Sequence, residues 1–331
     1  MTNESLKCMV LGSSSFGGGS FIDQALSRGM KVVGVSRSKI LNELCVPHYQ
    51  NSNKKLLKTH VLDLNKDLTK IVDLFCSEKP DILVDFAGQG MVAPSWDFPE
   101  QWYQTNVVAK AKFINAIKNY DFLRKYIRIS TPEVYGSTSN LVKEGGSINP
   151  STPYAVSHAA IDLHIQAYFK EFGFPMIIGR FSNFYGSCQQ LYRVIPKAFY
   201  YALSGNNFNL EGGGNSERSF IHREDFSKGI LAMIDYGKEG RTYHFSNDEF
   251  ISIRSLVQQI CDISGVKFND FVQITKDRRG KDFAYKMSTA FTRKELNWNP
   301  SVSLDVGLKE TFNWIKSNLN ELSDETFSYQ H

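Results

Sequence analysis

Long apolar runs are missing from this chain of 331 residues. No stretch approaches the roughly 20 apolar residues that span a bilayer, and the opening MTNESLKCMV lacks the basic segment and apolar core of a secretory leader. The sequence therefore reads as cytoplasmic, with no membrane partner. Cysteine is scarce: Cys8, Cys45, Cys76, Cys188 and Cys261 are an odd number without a Cys-x-x-Cys pair. That pattern indicates neither a zinc site nor a disulfide framework, so no metal is expected and the thiols read as buried and reduced. Charge of one sign is lacking too, since 38 basic against 34 acidic residues leave +4, spread without blocks. Such a balance argues against nucleic acid as a partner and suits a small polyanionic substrate. Internal repeats and low-complexity linkers are also absent. A chain of this length with 42% apolar residues can bury a full core, as one large domain or two coupled ones.

The first organised feature is an apolar run, Cys8 to Leu11, that ends at Gly12 and is followed by SSSFGGGSFIDQALSRG and a second run, KVVGVSRS. Strand, glycine-rich turn, helix and strand in that order open a dinucleotide-binding βαβ unit. Glycines there let a pyrophosphate approach the backbone and the helix N-terminus. The second strand ends at Val35, where an acidic residue holds the ribose 2′-hydroxyl in NAD-preferring proteins, but here Ser36-Arg37-Ser38 follows. Arginine and hydroxyls suit a 2′-phosphate, so the reading leans to NADP while leaving NAD open. Next come the strand THVLDLN, a helix over Leu68 to Glu78 stopped by Pro80, the strand DILVDFAGQGMV and a long helical region from Trp96 to Tyr120. The segment ISTPEVYGS then joins Ser130, Thr131 and Glu133 to NPSTPYAVSHAAIDLHI. Pro153 places Tyr154 near a helix start, with His158 one turn further along the same face. A hydroxyl pair, a carboxylate and a tyrosine are parts for moving protons near a sugar-like hydroxyl. Taken alone, the helix could equally carry a tyrosine in its core.

The combination S-T-x-E-V-Y-G followed by P-Y-A-x-S-x-x-A resembles the extended short-chain dehydrogenase/reductases of the NAD-dependent epimerase/dehydratase family, most of all the nucleotide-sugar 4,6-dehydratases acting on dTDP-glucose or GDP-mannose. The likeness runs from about residue 6 to 318. It implies an α/β fold, a Rossmann-type doubly wound parallel sheet with a smaller C-terminal substrate-binding α/β lobe. Residues 1–186, with 221–250 returning, would bind the dinucleotide; 187–220 and 251–331 would bind the nucleotide sugar. Thr131, Glu133, Tyr154 and His158 fall on catalytic positions. Cofactor positions are Gly12, Ser15, Phe16 and Gly18 in the turn, Ser36, Arg37 and Ser38 after the second strand, and Asp63 and Leu64 on the adenine side. Ala87, Gly88 and Gln89 would pack against the cofactor, Asn106 would steady the active-site helix, and Ser130, Tyr154 and His158 complete the set. Gln89, Thr131, Asn183, Arg193, Arg218 and Arg278 fall on the substrate side.

Three residues depart from the family pattern: Ser15 replaces a glycine, Pro132 replaces the aspartate of the dTDP-glucose enzymes, and His158 replaces a lysine. With Thr131, Glu133 and Tyr154 intact, the resemblance implies an NAD(P)-dependent dehydratase forming a 4-keto-6-deoxy sugar nucleotide. A 4-epimerase, a 4-keto reductase or a decarboxylase of the same family is the alternative, as is a binding protein that has lost turnover. The resemblance further implies a nucleotide-diphosphate sugar as partner and a homodimer formed through Asn106 to Asn119 and Tyr154 to Phe172. Three smaller expectations are a glycine-rich hairpin ahead of Arg218, a helix capped by Ser252, and a polar tail after residue 318 that frays.

Overall fold

The computed structural model describes residues 6–40, 42–277, 280, 282–325 and 327–329. Strands β1 (Lys7–Leu11), β2 (Lys31–Ser36), β3 (Leu57–Val61), β4 (Ile82–Asp85), β5 (Lys125–Ser130) and β6 (Met176–Phe181) join the edge strand Thr242–Phe245 in one sheet. All neighbours are parallel, in the order Thr242–Phe245, β6, β5, β4, β1, β2, β3. Strands covered on both faces need apolar residues at successive positions, which is why CMVL, ILV and MII appear as unbroken runs. On one face Phe21, Ile22 and Leu26 of α1 (Phe16–Ser27) pack with Ile230 and Met233 of the helix Arg223–Tyr236. The opposite face is covered by α2 (Leu68–Glu78), α3 (Pro99–Tyr103), α4 (Lys110–Ile117) and α5 (Pro153–Phe172), with Phe75, Phe113, Ile161 and Ile165 at its centre. Connections run outward in both directions from the adjacent pair β1 and β4. A crevice therefore opens at the carboxyl ends of those two strands, where such sheets take their ligands.

Local signals set the helix limits. α2 has the expected bounds and ends at Lys79, whose left-handed backbone (φ 46°) turns the chain before Pro80. At the head of α5, Thr152 accepts a hydrogen bond from the Ala155 N–H at 3.1 Å, with Pro153 in the first position, where no N–H is needed. Ser252 caps Ile253–Ser264 in the same way, accepting from the Ser255 N–H at 3.0 Å. The region after Trp96 is less regular than expected. Between α3 and α4 the chain widens into a π-turn, Gln104–Ala109, which carries Asn106 into the interior.

A second core lies beyond the sheet, built by Ile195 and Phe199 of α6 (Val194–Ser204), Leu256 and Ile260, and Leu308 and Ile315 of the helix Leu304–Ser317. Two expectations need correction here. The glycine-rich segment is not a hairpin: Phe208–Glu211 pairs in parallel with Val272–Thr275, and Glu217–Arg218 pairs with Ile251–Ser252. Positive φ at Gly212, Gly213 and Gly214 turns the chain away before it can fold back on itself. Nor does the tail fray over its described length. Leu322 is buried in the second core, and Phe327 packs on Tyr200 and Tyr201 at ring distances of 5.2 and 5.1 Å. The cysteines are free, Cys8, Cys45 and Cys261 buried and Cys76 and Cys188 half-buried. Among the described residues no helix is long and apolar enough to cross a membrane.

Charged groups are buried inside the sheet layers. Lys110 on α4 reaches Asp85 at the end of β4, Nζ to Oδ2 2.7 Å, and Tyr126 donates to the same oxygen at 2.7 Å. Burial works against ionisation of Asp85, but Lys110 and Arg128 outweigh it and hold the carboxyl below its usual range. Removing Lys110 leaves the buried Asp85 charge to rely on the Tyr126 hydroxyl and the more distant Arg128, so Lys110→Met should be destabilising, by up to about 3–5 kcal/mol. Urea denaturation of Lys110→Met, Asp85→Asn and the double variant checks this. The double variant should lose clearly less than the sum of the two single losses.

Candidate active site

The crevice holds two adjoining cavities that share Ser15, Ala87, Gly88 and Gln89 as walls. The smaller, of about 310 Å³, is lined by Gly12, Ser36, Arg37, Ser38, Asp63 and Leu64. Its wall begins at the turn after β1. Gly12 has φ +80°, and a Cβ there would lie 2.9 Å from the Ala87 nitrogen, so only glycine lets this turn sit against the end of β4. Gly18 lines neither cavity; a Cβ on it would meet the Gly12 oxygen at 2.3 Å, so its smallness lets α1 pack on the turn. Ser15 caps α1. Its hydroxyl donates to the Gly12 oxygen at 2.7 Å and accepts from the Gly18 N–H at 3.0 Å, so its one proton closes the turn. Ser36 donates to the Ser38 carbonyl at 3.0 Å. Asn106 lines neither cavity but braces both neighbours. It accepts from the Gln89 N–H at 2.7 Å and donates to Ser157 of α5 at 3.0 Å.

The larger cavity, of about 860 Å³, contains the candidate catalytic residues. β5 delivers Ser130, whose hydroxyl donates to Asp162 at 2.7 Å, and then Thr131. Thr131 caps the short turn Pro132–Tyr135 by accepting from the Glu133 N–H at 3.2 Å. Tyr154, the second residue of α5, lies beside both: its phenol is raised above the usual tyrosine range by burial first and by the Glu133 charge second, while a hydrogen bond with Thr131 opposes the shift. The Tyr154 and His158 rings are 4.5 Å apart. His158 Nδ1 lies 2.9 Å from Nη2 of Arg128, and burial, then Arg128, then Lys110 push the imidazole well below its usual range. Thr131, Glu133, Tyr154 and His158 thus meet on one wall, with His158 neutral. Phe16 also lines this cavity, stacked on Phe184 at 5.7 Å.

The same cavity is also lined by Asn183, Arg193 and Arg218. Asn183 accepts from the Tyr285 hydroxyl at 3.0 Å. Arg218 is held by the carbonyls of Glu217, Asp282 and Phe283 at 2.7–3.0 Å, with its guanidinium 4.3 Å from the Tyr285 ring centre. Arg193 heads α6 and lies 5.4 Å from the Tyr192 ring. Arg278 falls outside the described residues.

Sequence reasoning missed Asp85, Lys110, Arg128, Tyr285 and Tyr329. Asp85 and Arg128 had a signal, a charge inside an apolar strand, in ILVD and YIRIS. Tyr329 had a weaker one, the aromatic pair Phe327 and Tyr329 in a tail read as polar. Its hydroxyl donates to Gln89 Oε1 at 2.8 Å and accepts from the Gly90 N–H at 2.9 Å, and the residue lines both cavities.

Comparison with known proteins places the whole chain among relatives. The family described as GDP-mannose 4,6 dehydratase matches residues 9–311. A dTDP-glucose 4,6-dehydratase of Xanthomonas campestris pv. campestris is 26% identical, over 94% of this chain and 93% of that one. The solved structure of DesIV, a dTDP-glucose 4,6-dehydratase from Streptomyces venezuelae with NAD bound, superposes with a TM-score of 0.87 at 26% identity, covering 95% of this chain and 98% of that one. A UDP-glucose 4-epimerase from Thermotoga maritima reaches 0.86 at 20% identity, over 95% of this chain and 100% of that one, a likeness of fold alone.

Tyr329→Phe removes two hydrogen bonds, each contributing about 0.5–1.5 kcal/mol. Carboxypeptidase should then trim the tail several-fold faster than in the parent protein, with the thermal midpoint little changed. Equal trimming rates would show that the hydroxyl does not seat the tail.

Proposed function

The chain belongs to the GDP-mannose 4,6 dehydratase family, and on that premise we propose that it is a nucleotide-sugar 4,6-dehydratase working with a bound nicotinamide dinucleotide, NAD or NADP. The observation that carries the reading is the meeting of Thr131, Glu133 and Tyr154 on the wall of the larger cavity. A dinucleotide fits the residues present. The Gly12 turn leaves the backbone bare at the mouth of the smaller cavity, and Ala87, Gly88 and Gln89 form a low wall between the two spaces. Gly12, Ser15, Asp63, Leu64 and the Ser36–Ser38 segment would hold its adenosine half, and Ser130, Tyr154 and His158 its nicotinamide half. Asn183, Arg193, Arg218 and Arg278 would take the sugar's diphosphate, for which an arginine fork suits phosphate oxygens. We assign 1–186 with 221–250 to the cofactor and the remainder to the nucleotide sugar. The exposed apolar residues Val108, Val156, Leu163 and Phe172 on the helical face support a homodimer.

When bound, the nicotinamide would supply a hydride acceptor for C4 of the sugar and, once reduced, a hydride donor for C6. Tyr154 Oη takes the proton of the C4 hydroxyl, whose oxygen Thr131 steadies. The resulting 4-ketone acidifies the C5 proton, which the Glu133 carboxylate removes. The C5 electron pair forms a double bond to C6 and expels the C6 oxygen, and Glu133 protonates that oxygen as it leaves. Pro132 has no proton to give, so Glu133 serves both purposes; a solvent proton completes C5 as C6 is reduced, Tyr154 releases its proton to solvent, and the net change is loss of one water. His158, neutral, contributes an N–H rather than a charge.

Incubation with a panel of nucleotide hexoses and mass spectrometry tests the reading. A dehydratase loses water, an epimerase gives an isomer of unchanged mass, and a decarboxylase loses carbon dioxide. In deuterated water the product should carry label at C5. Glu133→Gln should still bind cofactor and substrate but lose turnover by about 10²–10⁴, as for other positioned acid–base groups. Unchanged dehydration in this variant would remove Glu133 from its role.

The solved relative carries NAD, whereas Arg37 in the smaller cavity suits the 2′-phosphate of NADP, so Arg37 decides the preference. Denaturing the purified protein and identifying the released dinucleotide checks it. Exclusive NAD, with Arg37→Ala unchanged in affinity for both cofactors, would overturn that role. A pH dependence also follows. Tyr154 is raised above its usual range, so its ionised fraction is small at neutrality and grows with pH. Turnover should therefore climb between about pH 6.5 and about pH 8.5, by at most roughly tenfold per unit.

A further inference from the structure

Arg128 is almost fully buried in the middle of the site wall. Two carboxylates face it, Asp162 of α5 at 3.7 Å from Nε and Asp85 of β4 at 3.9 Å from Nη1, both beyond hydrogen-bond reach. Its short contact is with the imidazole, Nη2 to Nδ1 of His158 at 2.9 Å. A guanidinium only donates, so Nδ1 must present a lone pair, and the single proton of the neutral ring sits on Nε2. We propose that Arg128 is a positioning residue that locks His158 as the neutral Nε2–H tautomer, and that this contact is why a histidine rather than a permanent cation can stand one turn after Tyr154.

The surrounding charges point the same way. Lys110 of α4, Arg128 of β5 and Arg180 of β6 face Asp85 and Asp162, three cations against two anions, all buried. Burial and the neighbouring Arg128 already depress Lys110 to about 8. A protonated His158, or a lysine in its place, would add a fourth cation beside a guanidinium with no carboxylate left to pair it. Tyr154 and Glu133 line the same cavity as His158. His158 lines the cavity, so what Arg128 delivers there is one oriented N–H, suited to a hydroxyl oxygen such as a ribose hydroxyl of the dinucleotide. Only this last step rests on the dehydratase reading.

Nitrogen-15 NMR of histidine-labelled protein reads the tautomer without substrate. The His158 signals should show an acceptor-type Nδ1 and a protonated Nε2, unchanged from about pH 5 to about pH 8. A proton on Nδ1, or titration near neutrality, overturns the proposal. Arg128→Gln keeps a donor without the charge and should preserve the tautomer while letting the ring titrate higher; Arg128→Leu should lose the tautomer preference. A second arm measures dinucleotide dissociation constants. His158→Lys should weaken binding and lower the thermal midpoint, whereas His158→Lys combined with Arg128→Leu should bind roughly tenfold more tightly than His158→Lys alone. The proposal fails if His158→Lys binds and turns over as well as the parent protein, or if the double variant gains nothing over it. Should the Arg128 variants not fold, the parent spectrum and the His158→Lys affinity still decide. If no nucleotide sugar is dehydrated, the proposed function fails while the NMR and affinity results stand.

Discussion

A guanidinium buried inside a parallel sheet has no water to solvate it, and at the centre of this structure Arg128 makes one hydrogen bond among the described residues, to His158, and lies between two carboxylates that are tied to partners of their own. Asp85 ends β4 and takes Lys110 of α4 and the Tyr126 hydroxyl; Asp162 of α5 takes the Ser130 hydroxyl and Arg180 of β6. Arg180 in turn donates to the Tyr135 hydroxyl, which donates to Nε2 of His244, whose Nδ1–H reaches the Ser288 carbonyl. Burial first and Arg180 second push His244 down to about 3, so the ring is neutral and this direction of the chain is consistent throughout. Buried ion pairs of this kind are weak evidence for stability, because desolvation offsets much of their attraction. Their consequence here is geometric. They tie α5 to β4, β5 and β6, and so fix Tyr154 of α5 relative to Thr131 at the end of β5.

The other half of the site is organised by absence of side chains. Where β1 ends, Gly12 lets the turn lie against Phe86 and Ala87, and Gly88 lies under the Asn106 carboxamide, whose Oδ1 would be 2.8 Å from any Cβ. Asn106 reaches that point because the π-turn adds a residue to the helix and swings its side chain inward. One asparagine thereby sets the Ala87–Gln89 wall and, through Ser157, the start of α5. The low wall and the candidate catalytic residues are positioned by the same residue, which links the two cavities mechanically.

Much of this was legible in the sequence, and the reason is local. Helix limits at Thr152, Pro153 and Ser252, and the end of α2 before Pro80, are written in capping and breaking residues a few positions apart. Thr131, Glu133, Tyr154 and His158 fall at spacings that a strand end and a helix start bring to one cavity. What escaped was non-local. Lys110 reads as an ordinary helix lysine until α4 is laid over β4, 25 residues earlier in the chain. The glycine-rich segment looks like a hairpin because sequence cannot show that Val272–Thr275 will arrive to pair with Phe208–Glu211. The tail looks polar between Ser323 and Glu325, yet Leu322, Phe327 and Tyr329 find a hydrophobic core and a cavity wall, partners 120 residues or more away.

The three departures from the family pattern can be weighed by their surroundings. A site losing its function would be expected to show orphaned partners where a side chain had changed. Ser15 instead completes the α1 cap, bonding both Gly12 and Gly18. Pro132 opens the turn Pro132–Tyr135 at the position that lacks an intrahelical N–H partner, behind the Thr131 cap. His158 meets a buried arginine that can only donate to it. Ser15 and Pro132 are matched by neighbours of fitting chemistry and His158 by the Arg128 donor, while Arg128 Nε and Asp162 Oδ1 beside it have no hydrogen-bond partner among the described residues; the balance favours a site with altered electrostatics over a decayed one. The alteration concerns Tyr154. With a neutral imidazole beside it and the Glu133 charge nearby, the Tyr154 phenol is held above its usual range, so on the proposed reading only its small ionised fraction can take up a proton at neutral pH. On the proposed reading the acid–base work then leans on Glu133, the carboxylate whose charge acts on Tyr154.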